Sequence, residues 1–123
     1  MTQILASIIL AALCAFGPAP AQQDPNDGWK ITRDEVSGGV RFVTAVPCNV
    51  CSRLIELEIS VKSRTIRYCK FTRGCQGNTA AVGRLVEGLT VEQAVSKLDG
   101  IDCGGRGTSC PDQLARVLKS LKW

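Results

Sequence analysis

Residues 55–61 read Ile55-Glu56-Leu57-Glu58-Ile59-Ser60-Val61, with apolar and polar side chains in strict alternation. Successive side chains of an extended chain point to opposite sides, so a period of two marks a strand with one buried and one wet face. Ile55, Leu57, Ile59 and Val61 are thereby assigned to a core. Downstream, Lys62-Ser63-Arg64 is a short polar connection and residues 65–71 return, so the two runs read as a hairpin. Upstream, Val40-Arg41-Phe42-Val43-Thr44-Ala45-Val46 is rich in β-formers and follows the Gly38-Gly39 break, which predicts a first strand. Glu56 and Glu58 are better explained as the solvated face of the middle strand than as a paired acid and base.

The period changes after Gly74-Cys75-Gln76-Gly77. Val82, Leu85 and Val86 recur at helical spacing, with Asn78 or Thr79 as start and Gly88 as stop. A second helix follows, opened by the capping box Thr90-x-x-Gln93 and carrying Val91, Ala94, Val95 and Leu98 on one face; Asp99-Gly100 ends it. A third starts at Ser109-Cys110-Pro111-Asp112, where Ser109 suits the N-cap, Pro111 the first turn, and Asp112 completes a Ser-x-x-Asp capping pattern. Its apolar face is Leu114, Val117, Leu118 and Leu121, with Arg116, Lys119 and Lys122 toward the negative end of its dipole. Strands followed by helices predict an α+β domain: a small antiparallel sheet of about three strands with three C-terminal helices packed on one face. Trp29 and Trp123 lie outside this pattern and are assigned to the ends of the domain.

A chain of 123 residues holds one small domain. Residues 4–16 form an apolar run of signal-peptide length, and Ala19-Pro20-Ala21 offers a small-x-small cleavage site, but no Lys or Arg precedes the run. The expected organisation is a signal-like leader over 1–21, a polar linker over 22–30 and a cysteine-cluster domain over 31–123. A genuine leader places the protein outside the cytoplasm or in a periplasm; otherwise it is cytoplasmic. Once such a leader is cleaved, no transmembrane span is predicted. The net charge of +4 comes from scattered cations without a basic tract, which disfavours nucleic acid as a partner. There is no histidine, and that removes Ser/His/Asp and Cys/His catalysis and any mixed Cys/His metal site.

Seven cysteines are the strongest compositional signal: Cys14, Cys48, Cys51, Cys69, Cys75, Cys103 and Cys110. They form a disulfide framework, a metal or cluster site, or a redox set. Cys48 and Cys51 fall between strands, Cys75 before a helix, and Cys103 and Cys110 at the ends of a glycine-rich loop, while Cys69 is inside a strand. Cysteines at element ends can converge at one edge of a sheet. Cys110 is placed at a helix N-terminus, where unpaired N–H groups and the dipole favour a thiolate. Gly104-Gly105-Arg106-Gly107, ahead of the same helix, offers an anion cradle with Arg106 as partner and so makes nucleotide binding a candidate, although no P-loop Lys follows and no strand immediately precedes it.

Cys51-Ser52, Phe71-x-x-Gly74-Cys75-x-Gly77-Asn78, Leu85-Val86-Glu87-Gly88, Leu98-x-Gly100-Ile101-x-Cys103-Gly104 and Thr108-Ser109-Cys110-Pro111-Asp112-Gln113-Leu114 follow in order over about residues 40–121. Together they resemble the TSCPD domain family, small stand-alone bacterial proteins and the C-terminal domain of cobalamin-dependent ribonucleotide reductases. The resemblance implies Cys51, Cys75, Cys103 and Cys110 as the site residues, with no counterpart for Cys48 or Cys69. Three readings are open, the first two following from the resemblance and the third from the cysteine count and the signal-like leader. One is a domain that binds zinc or an iron–sulfur cluster through those four thiolates. Another is an accessory module of ribonucleoside-diphosphate reductase acting in thiol–disulfide exchange or DNA precursor synthesis. A secreted disulfide-stapled domain without chemistry is the third. The element order is also similar to that of iron–sulfur cluster scaffold proteins, so a cluster-transfer partner or a large ribonucleotide reductase is the implied company. Autonomous reductase catalysis does not fit a chain too short for a radical-enclosing barrel.

Overall fold

The computed structural model describes residues 28–123. The expected leader and Cys14 lie outside the described residues, as does all but the end of the expected linker. The alternating stretch forms β3 (Leu54–Ser60), with Ile55, Leu57 and Ile59 buried. Val61, expected to face the core with them, falls in the following turn and is 37% exposed. β3 pairs antiparallel with β2 (Val40–Val46) on one side and with β4 (Ile66–Thr72) on the other.

The sheet has four strands in the order β1-β2-β3-β4, not the three expected. The additional strand is β1 (Lys30–Ser37), and Gly38-Gly39 is the hairpin turn that joins it to β2, both glycines taking positive φ. Every β1 residue except Ile31 is exposed, so it has no buried face to generate alternation. Backbone pairing with β2 holds it, together with a two-pronged bond from Arg41 to Asp34, 2.7 Å on each arm. That contact holds the Asp34 carboxyl below its ordinary range. Charged residues on such an edge strand also discourage pairing with another sheet. Just before β1, Trp29 is 3% exposed and packs into the core, although it lies outside the hydrophobic pattern of the sequence. A lone indole among turn-forming residues carries no period to reveal that role.

Three helices follow: α1 (Gln76–Val86), α2 (Val91–Leu98) and α3 (Cys110–Ser120). Their buried side chains join the inner face of the sheet in one core, where Ile55, Ile59 and Ile66 share a cluster with Ala94, Leu114 and Val117. α2 opens on the expected capping box, Thr90 and Gln93 bonding reciprocally. α3 buries Leu114, Val117 and Leu118, and Leu121 just beyond it, as its period required.

α1 departs from its expected face. Its buried residues are Thr79, Gly83 and Val86, whereas Leu85 is 73% exposed. The reason is a close approach to β4. A Cβ on Gly83 would lie 2.7 Å from the Cys69 carbonyl oxygen, so only glycine lets the helix sit there. Neither Asn78 nor Thr79 is the N-cap; Cys75 is, and the Thr79 hydroxyl donates to the Cys75 carbonyl instead.

Candidate functional site

The motif from Thr108 to Gln113 is a buried polar network before it is a set of ligands. Ser109 is the N-cap of α3, its hydroxyl accepting from the Asp112 amide at 3.1 Å. The Asp112 carboxylate does not reach back to close the capping box. It accepts instead from the Gly100 amide and the Thr108 hydroxyl, both at 2.7 Å, and from Arg116 Nε at 2.9 Å. One buried carboxylate therefore fastens the end of α2, the close of the 101–109 loop and the first turns of α3. Gln113, fully buried, donates to the Thr108 hydroxyl and accepts from the Cys48 amide. The Cys48–Cys51 link between β2 and β3 is thereby tied to the start of α3.

The loop carries its own anion. Asp102 accepts from the amides of Gly105 and Gly107 at 2.7 and 2.6 Å. Those amides were the expected cradle for a bound anion or nucleotide, and the Asp102 carboxylate fills it. Gly104, Gly105 and Gly107 take positive φ, which lets so short a loop wrap one side chain. The Cys103 amide donates to the Thr108 carbonyl and closes the loop at its base.

Arg106, at the loop's outer edge, points back to the Cys48–Cys51 link. Its Nη1 lies 3.6 Å from the Cys51 sulfur. Hydrogen bonding to Cys51, followed by the fields of Cys51, Cys103 and Cys110, holds the guanidinium pKa above its ordinary value. Of the four cysteines singled out in the sequence, Cys51 is the one in contact with this cation. Cys51 and Cys103 are exposed, whereas Cys110, the first residue of α3, is 8% exposed.

Cys75 belongs to the same end of the sheet by backbone pairing. The Arg53 amide donates to the Thr72 carbonyl, and a Cβ on Gly74 would stand 3.5 Å from the Ser52 side chain. Cys75 is exposed at the N-cap of α1, and its field is not among those acting on Arg106. Cys51, Cys75, Cys103 and Cys110 carry free thiols, as does the buried Cys69. Burial, with the nearby Glu87 charge adding to it, pushes the Cys69 thiol up to about 12.

A set of thiols without histidine has the chemistry of a zinc or iron–sulfur site. The placement does not match that chemistry. Among the described residues no three His, Cys, Asp or Glu side chains gather closely enough to hold a metal ion, and a guanidinium stands beside Cys51. What the arrangement provides is an exposed Cys51 thiol beside the exposed Arg106 guanidinium, on a loop anchored by buried hydrogen bonds. Arg106 itself was visible in the sequence only as a partner for an external anion, because its contact with Cys51 spans 55 positions.

No helix among the described residues is long and apolar enough to cross a membrane. The family model described as the TSCPD domain matches residues 27–122. No curated protein and no solved structure matches the chain.

Proposed function

The chain belongs to the TSCPD domain family, and from that membership and the thiol arrangement we propose that it is an accessory module of ribonucleotide reduction acting by thiol–disulfide exchange. The observation that carries the reading is the Arg106 guanidinium 3.6 Å from the Cys51 sulfur, with the fields of Cys103 and Cys110 on the same group. Exchange needs an accessible thiolate as attacking group, and a neighbouring cation favours that form. The Cys51 thiolate attacks one sulfur of a partner's disulfide; that S–S bond breaks, the attacked sulfur stays bonded to Cys51 as a mixed disulfide, and the partner's other sulfur is released as a thiolate, which takes up a proton. Cys103 then attacks the mixed disulfide, releases the partner's second thiol and closes a Cys51–Cys103 disulfide. The two electrons delivered come from these two thiols, and an external dithiol restores them. Cys110, buried at the start of α3, does not attack first. The reductase as partner rests on the family resemblance.

A second reading, zinc or an iron–sulfur cluster on Cys51, Cys75, Cys103 and Cys110, is favoured by the donor set alone, all thiol and no imidazole. It requires Arg106 to withdraw and the four thiols to close up. One sample separates the two. The chain is purified under reducing, anaerobic conditions, its metal content, absorption spectrum and free thiols are measured, and it is then treated with an oxidised dithiol and peptide-mapped. The first reading expects a Cys51–Cys103 disulfide and no stoichiometric metal. One zinc per chain, or cluster absorption in the visible, overturns it in favour of the second.

A further inference from the structure

A cleft lies between the edge strand β4 and helix α1, with Cys69 in its wall and Cys75 adjoining it between Arg73 and Gln76. It measures about 570 Å³ and is walled by Lys70 and Arg73 from the strand side and Arg84 from the helix, with Tyr68, Gln76, Thr79 and Glu87 also in its lining. A volume of this size suits a small organic ligand. We propose that this cleft binds a small molecule carrying two or more phosphate groups.

Charge is the argument for it. Five ion pairs occur among the described residues, and none involves Lys70, Arg73 or Arg84. Three cationic residues without an ion pair therefore line the cleft from its two sides, with Glu87 as the only acidic lining residue, leaving a surplus of two positive charges. A diphosphate or larger phosphate chain supplies matching charge and enough oxygens to engage all three, whereas a single small anion does not. Tyr68, 39% exposed, offers an aromatic surface to the rest of the molecule.

Backbone conformation bears on how the cleft can be tested. Arg73 takes φ +61, in the left-handed region that glycine and asparagine adopt more readily, immediately before Gly74 at φ +108. Asn49 and Arg64 take the same conformation at other turns, so the φ of Arg73 marks a position that glycine can occupy without strain. At the neighbouring corner of the cleft, α1 begins without an acidic residue in its first turn and without a side-chain cap, so its positive end is not neutralised by the chain itself. Unlike the Gly105 and Gly107 amides, which Asp102 fills, this end has no carboxylate of its own.

Arg73 supplies an unusually clean test, because Arg73→Gly suits the local backbone and retains the fold. Binding of inorganic pyrophosphate and tripolyphosphate to the full chain is measured by calorimetry at physiological ionic strength, with orthophosphate for comparison. Pyrophosphate is expected to bind more tightly than orthophosphate, Arg73→Gly and Arg84→Gln each to weaken it about fivefold to tenfold, and Glu87→Gln to tighten it about threefold. Arg33→Gln, on the opposite edge strand, leaves it unchanged. The proposal is overturned if pyrophosphate does not bind, if Arg33→Gln weakens it as much as Arg73→Gly, or if a single-stranded oligonucleotide displaces it at lower concentration than any small phosphate. Because none of these variants alters Cys51, Cys103 or Arg106, failure here is separate from failure of the thiol reading.

Discussion

Cys48 and Gln113, 65 positions apart, are joined by a 3.1 Å hydrogen bond from the backbone amide of the first to the side-chain oxygen of the second. Gln113 has no exposed surface and passes the connection on through Thr108 to Asp112. Gln113→Ala leaves the Cys48 amide and the Thr108 hydroxyl short of a partner, which is expected to cost about 2 kcal/mol. Denaturant unfolding measures that loss. Gln113→Glu, which keeps the acceptor but loses the donor to Thr108 and buries a charge, is expected to cost at least as much; a neutral result for both variants contradicts the network.

Gly83→Ala reverses the usual sign. In an exposed helix interior alanine stabilises relative to glycine by up to about 1 kcal/mol. Here the added Cβ lies 2.7 Å from the Cys69 carbonyl oxygen, a backbone atom that cannot swing aside. α1 must move off β4, and the expected net loss is about 2 kcal/mol, read as a lower midpoint of thermal unfolding. Gly77→Ala in the first turn of the same helix meets nothing within 4 Å and serves as control.

Cys69 makes stability fall at alkaline pH. Its thiol is held up at about 12 against 9.0 when unperturbed, so the unfolded chain releases the proton first. The stabilisation is fully present below pH 9 and is lost as pH rises from there toward 12, at up to about 1.4 kcal/mol per pH unit. Comparison of unfolding free energies across this window for the native chain and Cys69→Ala checks it, since the variant loses that part of the slope. The same burial predicts that Cys69 is alkylated only on unfolding, after the exposed Cys51, Cys75 and Cys103.

Arg106→Gln removes the cation beside Cys51 while leaving the loop's own bonds through Asp102 in place. Alkylation of Cys51 at neutral pH is expected to slow, with little change in stability. Rates at Cys75, outside the group of thiols acting on Arg106, are the internal reference. Equal slowing at Cys75 and Cys51 overturns the assignment of Arg106 to the site.

The amino-acid sequence by itself determined the elements whose cause is local. Alternation at Ile55, Leu57 and Ile59 marked β3, the Thr90 and Gln93 capping box marked the start of α2, and Ser109 and Pro111 marked the start of α3, because each signal lies within a few residues of what it specifies. It also assigned every described cysteine except Cys69 to an end of an element, and that much follows from spacing. Only the tertiary structure decided the rest. β1 has no buried face and exists through its pairing with β2, and Trp29 enters the core from a polar stretch. α1 turns Leu85 outward because small Thr79 and Gly83 permit an approach to β4 that no hydrophobic period encodes. Arg106 reaches Cys51, and Gln113 reaches Cys48, across 55 and 65 positions. Contacts of that range depend on how the sheet and helices pack, so the site's chemistry is assembled by the fold from residues whose types alone the chain announces.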